Sequence, residues 1–138
     1  MRQAGGTLTI ATSGPALHEI TDEVAEWLKG TGISEGLLTL LCRHTSASLL
    51  ITENASAAVH RDLLSWLDRL APRSGNYEHD DEGPDDMPAH LRSALTGVTL
   101  SIPVADGRMR LGTWQGIFLA EHRDRPHRRE VAMHVLGT

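Results

Sequence analysis

The alternation of apolar and polar positions is clearest at residues 98–104. There Val98, Leu100, Ile102 and Val104 interleave with Thr99, Ser101 and Pro103. A period of two predicts a strand with one buried face, and the proline places it at an edge or a bulge. Asp106-Gly107 is a two-residue hairpin turn, so residues 109–113 read as the returning strand. Residues 117–122 and 130–136 complete the C-terminal strand set. Upstream, residues 37–42 form a continuous apolar run of strand length. Residues 47–52 follow with Ala47, Leu49 and Ile51 on one face, and residues 6–13 alternate weakly through Leu8 and Ile10.

Helical spacing appears three times. Ile20, Val24, Trp27 and Leu28 share a stripe, with Thr21 as N-cap, Asp22 and Glu23 at the positive end of the dipole and Gly30 as the stop. Ser56 caps a second helix whose stripe is Val59, Leu63, Trp66, Leu67 and Leu70, ended by Pro72. Pro88 fits the first turn of a short third helix over residues 89–95, closed by Gly97. Strands clustered in runs define an α+β fold with largely antiparallel sheets, two main helices and a short third.

Composition narrows the class. The 138 residues make a single domain, 1–138, and only five of them are aromatic, so aliphatic side chains carry the core. A net charge of -5 argues against a nucleic-acid partner. The one basic stretch, RDRPHRR at 123–129, suits a phosphate group better than a duplex. Cys42 is the lone cysteine and lies in an apolar run, as an inert buried thiol does. The N-terminal residues show no signal-peptide pattern, and no run of about 20 apolar residues is present to span a membrane. The expectation is a soluble cytoplasmic protein.

The segment with the most chemistry is YEHDDEGPDDMPAH, residues 77–90. It holds six carboxylates and two histidines. A solvated acidic loop is the ordinary reading of such a charge run. Histidines interspersed with carboxylates also make a nitrogen and oxygen donor set for a divalent metal. His79 and His90 are too far apart for one helix turn, so the loop must fold back through Gly83 and Pro84 to unite them. Asp85 and Asp86 precede the short helix, whose N-terminus favours a carboxylate.

Two more segments stand out. HTSAS, from His44, offers small hydroxyls and strand-end N–H groups as donors to phosphate or carboxylate, although capping serines in a turn look the same. Glu53-Asn54 sits at a strand–helix junction. LGTWQG, residues 111–116, sets Trp114 and Gln115 between glycines, a pattern of bulges or close approach by a ligand or another chain. The alternative for Trp114 is plain core. His18, His60, His122, His127 and His134 read as surface, sheet-face or helix-flank residues.

Together HTSASLLITEN, YEHDDEGPDDMPAHLRSAL and SIPVADGRMRLGTWQGIFLAEHR resemble the YjbQ-like family of secondary thiamine-phosphate synthases, in order from about Thr7 to Gly137. The resemblance implies an α+β fold, a homotrimer and a site rich in histidine and carboxylate that holds a divalent metal, zinc or magnesium/manganese. It places His44, His79 and His90 as metal ligands. Asp85, Asp86, Glu53 and Asn54 match its catalytic positions. Ser46, Ser48, Thr113, Trp114, Gln115 and Arg123 fall to substrate binding. One departure is Ser56-Ala57, where the family commonly has Asp-Pro.

The implied reaction joins hydroxymethylpyrimidine diphosphate to a thiazole phosphate and releases pyrophosphate. It requires charge neutralisation on the leaving group and two reactants in line. Two other classes fit the same residues. One is a metal-dependent hydrolase of a small phosphorylated or carboxylated metabolite. The other is a non-catalytic trimeric metabolite or metal binder.

Overall fold

The structure, a computed structural model, describes all residues from Met1 to Thr138. Eleven elements follow in order: β1 (Arg2–Thr12), β2 (Ala16–Glu19), α1 (Thr21–Thr31), β3 (Gly36–Cys42), β4 (Ala47–Glu53), α2 (Ala57–Leu70), α3 (Asp86–Thr96), β5 (Thr99–Ala105), β6 (Arg108–Met109), β7 (Gln115–Glu121) and β8 (His127–Gly137). All strand pairings are antiparallel. They build a five-stranded sheet, β1-β8-β3-β5-β6, and a three-stranded sheet, β2-β7-β4.

The two sheets enclose the core. Leu38, Leu40 and Cys42 of β3, Ile102 and Val104 of β5 and Val131, Met133 and Val135 of β8 point inward. Ile117 and Leu119 of β7 meet them from the smaller sheet, and α1 adds Val24 and Leu28. Each large aliphatic side chain among them contributes about 1.5–3 kcal/mol when fully removed from water. β3 is therefore a one-sided strand rather than a continuously buried one, and Leu37 and Leu41 face outward. β7 is buried on both faces from Gly116 to Glu121. The His60 ring of α2 meets the Phe118 ring edge-on at 4.8 Å.

Several sequence expectations shift. β2 is an additional strand of four residues, too short for a periodic signal. The return strand after Asp106-Gly107 is only β6, and residues 110–114 form a loop. Asp106 and Gly107 both have positive φ, 53° and 71°, the pairing that lets a two-residue hairpin follow the strand twist. Helix α1 ends at Gly32 (φ 71°), not Gly30, and Thr21 does not cap it. The Thr21 hydroxyl donates to Glu19 and accepts the Ile117 N–H. Ser56 occupies the N-cap of α2 without a side-chain hydrogen bond. The Glu53 carboxylate accepts the Ala55 and Ser56 N–H groups instead. Of the stripe proposed for α2 only Leu67 is buried, while Trp66 and Leu70 are exposed.

No helix is long and apolar enough to cross a membrane.

Candidate functional site

The acidic loop folds back on itself as the spacing requires. His79 Nε2 lies 2.7 Å from Asp86 Oδ2, and His90 Nε2 lies 3.8 Å from the same oxygen. The imidazoles stack, with centroids 5.6 Å apart. One ligand atom from each residue falls within 4.8 Å of the others. Helix α3 makes this possible: Asp86 and His90 are four residues apart, hence on one face. His90 Nδ1 is buried and has no hydrogen-bond partner.

The loop is less solvated than its charge implies. Asp85 and Asp86 are only 7% and 2% exposed, and neither side chain caps α3. Both accept from Arg123, which follows the end of β7. Its Nε donates to Asp85 at 2.9 Å, Nη1 to Asp86 at 2.6 Å and Nη2 to the Glu82 carbonyl at 3.1 Å. Asp85 also accepts the Asp124 N–H, and Asp124 pairs with Arg73. Burial alone would raise the Asp85 carboxyl, but the Arg123 and Asp124 hydrogen bonds outweigh it and hold it below its ordinary value. The hydrogen bond to Asp86 raises the His79 imidazole. All three guanidinium nitrogens of Arg123 are thus engaged by the loop rather than presented free to a phosphate.

A second polar cluster lies beneath, missed by the sequence reading. Glu121 is fully buried and receives Nε and Nη2 of Arg129, the Thr12 hydroxyl and the N–H groups of His122 and Arg123. Burial opposes its ionisation, but these donors, Arg129 foremost, hold its pKa low. Ser46 belongs to this cluster through Arg129 Nη2, at 3.0 Å. Ser48 is fully buried, and its Oγ is 2.8 Å from His122 Nε2. Neither serine hydroxyl faces the His79 group. The signal that could have revealed the cluster is a glutamate closing the apolar run of strand β7.

His122 is a correction, since it is buried rather than on the surface. Burial, reinforced by Arg92, pushes its pKa from 6.5 down to about 4. Below pH 6.5 the unfolded chain takes up a proton that the folded chain refuses. Stability should therefore fall as pH drops from about 6.5 to about 4, by at most about 3 kcal/mol. Urea midpoints measured across that range, with His122→Gln as control, test this. A slope unchanged in the variant would exclude His122 as its source.

The other residues singled out from sequence lie apart from the His79 group. The Glu130 N–H donates to His44 Nε2 at 2.8 Å, so His44 is neutral at that nitrogen. Glu53 caps α2, and Asn54 donates to Glu19 through Nδ2. The Asn54 N–H donates to the Trp114 carbonyl, and Gln115 Oε1 accepts the Gly112 N–H. Gly116 is needed for close approach: a Cβ there would sit 2.6 Å from Glu19 Oε2 and 3.0 Å from Asn54 Cβ. Trp114 is not core; it is 63% exposed, and Thr113 in the same loop is exposed too. A hollow of about 830 Å³ between α1 and the β5–β6 hairpin is lined by no histidine.

The fold and the site define a two-sheet α+β protein carrying a half-exposed His/carboxylate group on an arginine-braced loop. Residues 6–138 match the family described as UPF0047 protein YjbQ-like, and the chain belongs to that family. It is 50% identical over 137 residues to UPF0047 protein sll1880 of Synechocystis sp., covering 99% of this chain and 93% of the relative. It is 47% identical over 118 residues to UPF0047 protein YjbQ of Escherichia coli O157:H7, covering 85% and 86%. The structure of conserved hypothetical protein TT1486 from Thermus thermophilus superposes with a TM-score of 0.85 at 39% identity, covering 95% of this chain and 99% of that one.

Proposed function

We propose that the protein is a divalent-metal-dependent transferase that joins hydroxymethylpyrimidine diphosphate to thiazole phosphate, acting as a cytoplasmic homotrimer. The observation that carries this reading is the convergence of His79, Asp86 and His90. Ligand atoms on a tetrahedral ion with bonds of about 2.0–2.1 Å lie about 3.3 Å apart. The His79–Asp86 and His90–Asp86 separations of 2.7 and 3.8 Å bracket that spacing. Two imidazoles and a carboxylate suit zinc, with manganese or magnesium as the harder alternatives.

A divalent ion held there would neutralise charge on the departing pyrophosphate or, in a hydrolase, lower the pKa of water. The chain's own residues do the positioning. Arg123 fixes Asp86 through Oδ1 and leaves Oδ2 toward the histidines. Asp85 in turn orients Arg123. Trp114 would stack on a heteroaromatic ring, with Thr113 and Gln115 beside it. The carbon–oxygen bond to pyrophosphate breaks, and the thiazole nitrogen supplies the electron pair for the new carbon–nitrogen bond. The side chains of His79 and His90 are 42% and 35% exposed. That openness to solvent favours, as a second reading, a hydrolase of a small phosphorylated metabolite.

The test is metal content of protein purified without a metal-affinity tag, measured beside His90→Ala. This variant is cleaner than Asp86→Ala, because Asp86 also binds Arg123. The expected result is about one divalent ion per chain, the stoichiometry of a three-ligand site, lost in the variant. No ion in either protein would sink the proposal. With the ion present, thiamine phosphate formed only from both substrates marks the transferase, and phosphate released from one substrate alone marks the hydrolase.

A further inference from the structure

Strand β7 leaves its sheet through a buried knot of side chains. Ladder pairing stops at Glu121, which faces Ala16 of β2 and Ala47 of β4. The next three main-chain N–H groups have no strand partner, and carboxylates take all of them. His122 and Arg123 donate to Glu121 Oε2 at 3.0 and 3.1 Å, and Asp124 donates to Asp85 Oδ2 at 2.9 Å. A carboxylate that accepts two successive N–H groups fixes the direction in which the chain leaves the sheet, through hydrogen bonds of the stronger, charge-assisted kind.

Glu121 is itself held from the larger sheet. Its Oε1 accepts the Thr12 hydroxyl of β1 at 2.5 Å and Arg129 Nε of β8 at 2.7 Å, and its Oε2 accepts Arg129 Nη2. Thr12, Glu121, His122 and Arg129 are all at most 5% exposed. An ion pair alone would need only Arg129; the two backbone donors serve the segment that follows. The residue so held is Arg123. With its N–H on Glu121, its guanidinium spans Asp85, Asp86 and the Glu82 carbonyl. Asp86 then offers Oδ2 to both histidines. The ends of β1 and β8 are thus linked through Glu121 and Arg123 to the His79 group.

We propose that Glu121 is a positioning residue for the His79–Asp86–His90 group. It sets the backbone of Arg123 so that the arginine fork meets Asp85 and Asp86 together. The consequence for metal rests on the reading of that group as a metal site; the hold of Glu121 on Arg123 does not.

Two double variants test this. Both lack the ion pair, and they differ in whether residue 121 can accept a hydrogen bond. Glu121→Gln/Arg129→Met keeps an amide oxygen for the two N–H groups, and Glu121→Leu/Arg129→Met has none. Circular dichroism and urea midpoints establish that each is folded. The Arg123 Nε–H resonance in nitrogen-15 NMR, assigned by its absence in Arg123→Lys, reads the fork directly. It should be sharp in wild type and in Glu121→Gln/Arg129→Met, and broadened by solvent exchange in Glu121→Leu/Arg129→Met. Zinc affinity should stay near the wild-type value in the first variant and fall about tenfold in the second, the lower end of what losing an outer partner of a metal ligand costs. Equal signals and equal affinities in the two folded variants would overturn the proposal, because the pair would then act on stability alone. Wild type supplies a check that needs no variant. The main-chain N–H groups of His122 and Arg123, outside any ladder, should resist exchange in deuterium oxide; exchange at the rate of exposed loop amides would overturn the proposal. Protected amides and a sharp Arg123 signal in wild type that binds no zinc would refute the metal reading and leave the positioning role intact. Zinc bound equally well by all three proteins would do the reverse.

Discussion

Glu121→Ala should cost about 3–5 kcal/mol of stability, the penalty for stripping the partner from a buried charge. Arg129 is 3% exposed and its main acceptor is the Glu121 carboxylate. The substitution also strips the carboxylate acceptor from the N–H groups of His122 and Arg123 and leaves the Thr12 hydroxyl only the His127 carbonyl. Against a typical domain stability of about 5–15 kcal/mol the loss is large, and urea denaturation will measure it. The joint variant Glu121→Leu/Arg129→Met should recover much of the loss, since an apolar pair of similar volume removes both desolvation penalties. A loss below about 1 kcal/mol in Glu121→Ala would mean that water or relaxation satisfies Arg129 and that the pair does not hold the strand end.

Arg123→Ala should weaken metal binding about 10–100-fold, as expected when a group that orients a ligand is removed. Asp86 keeps its Oδ2 toward the histidines because Arg123 occupies Oδ1. Without the guanidinium, Asp85 and Asp86 would also be two buried carboxylates with no arginine between them. Arg123→Lys should rescue only part of the affinity, because an ammonium cannot bind Asp85, Asp86 and the Glu82 carbonyl from one planar fork. Calorimetric titration with zinc reads this out directly. Unchanged affinity in Arg123→Ala would show that the loop is held without it.

Local pattern made much of the fold legible, and distance in sequence hid the rest. The alternation in β5 and the Asp106-Gly107 turn are local statements about backbone and face, and both appear in the structure. β2 was invisible because four residues between Pro15 and α1 carry no period. The stripe on α2 failed because its partner surface is mostly absent: His60 meets Phe118 and Leu67 is buried, but Trp66 and Leu70 stand in solvent. At the site, the proximity of His79 to Asp86 and His90 follows from one loop and one helix face. The Glu121–Arg129 pair was not readable, because a charge at a strand end looks solvated until the opposing strands are known. The same is true of His44, whose partner is a backbone N–H on β8, and of Ser48, whose partner is His122.

The position of β8 within the five-stranded sheet bears on how the chain is made. β8 is the last strand in sequence, yet it lies between β1 and β3 and pairs with both along most of its length. A nascent polypeptide that has emerged only as far as β7 has β1 with no neighbour and β3 with one open edge. Its eleven-residue first strand, free of proline and of charge beyond Arg2, then waits with both edges unpaired, the condition in which strands bind wrong partners. Closure must span nearly the whole chain, which makes it slow. The interval before β8 arrives is therefore when the open strand edges are most exposed to wrong pairing.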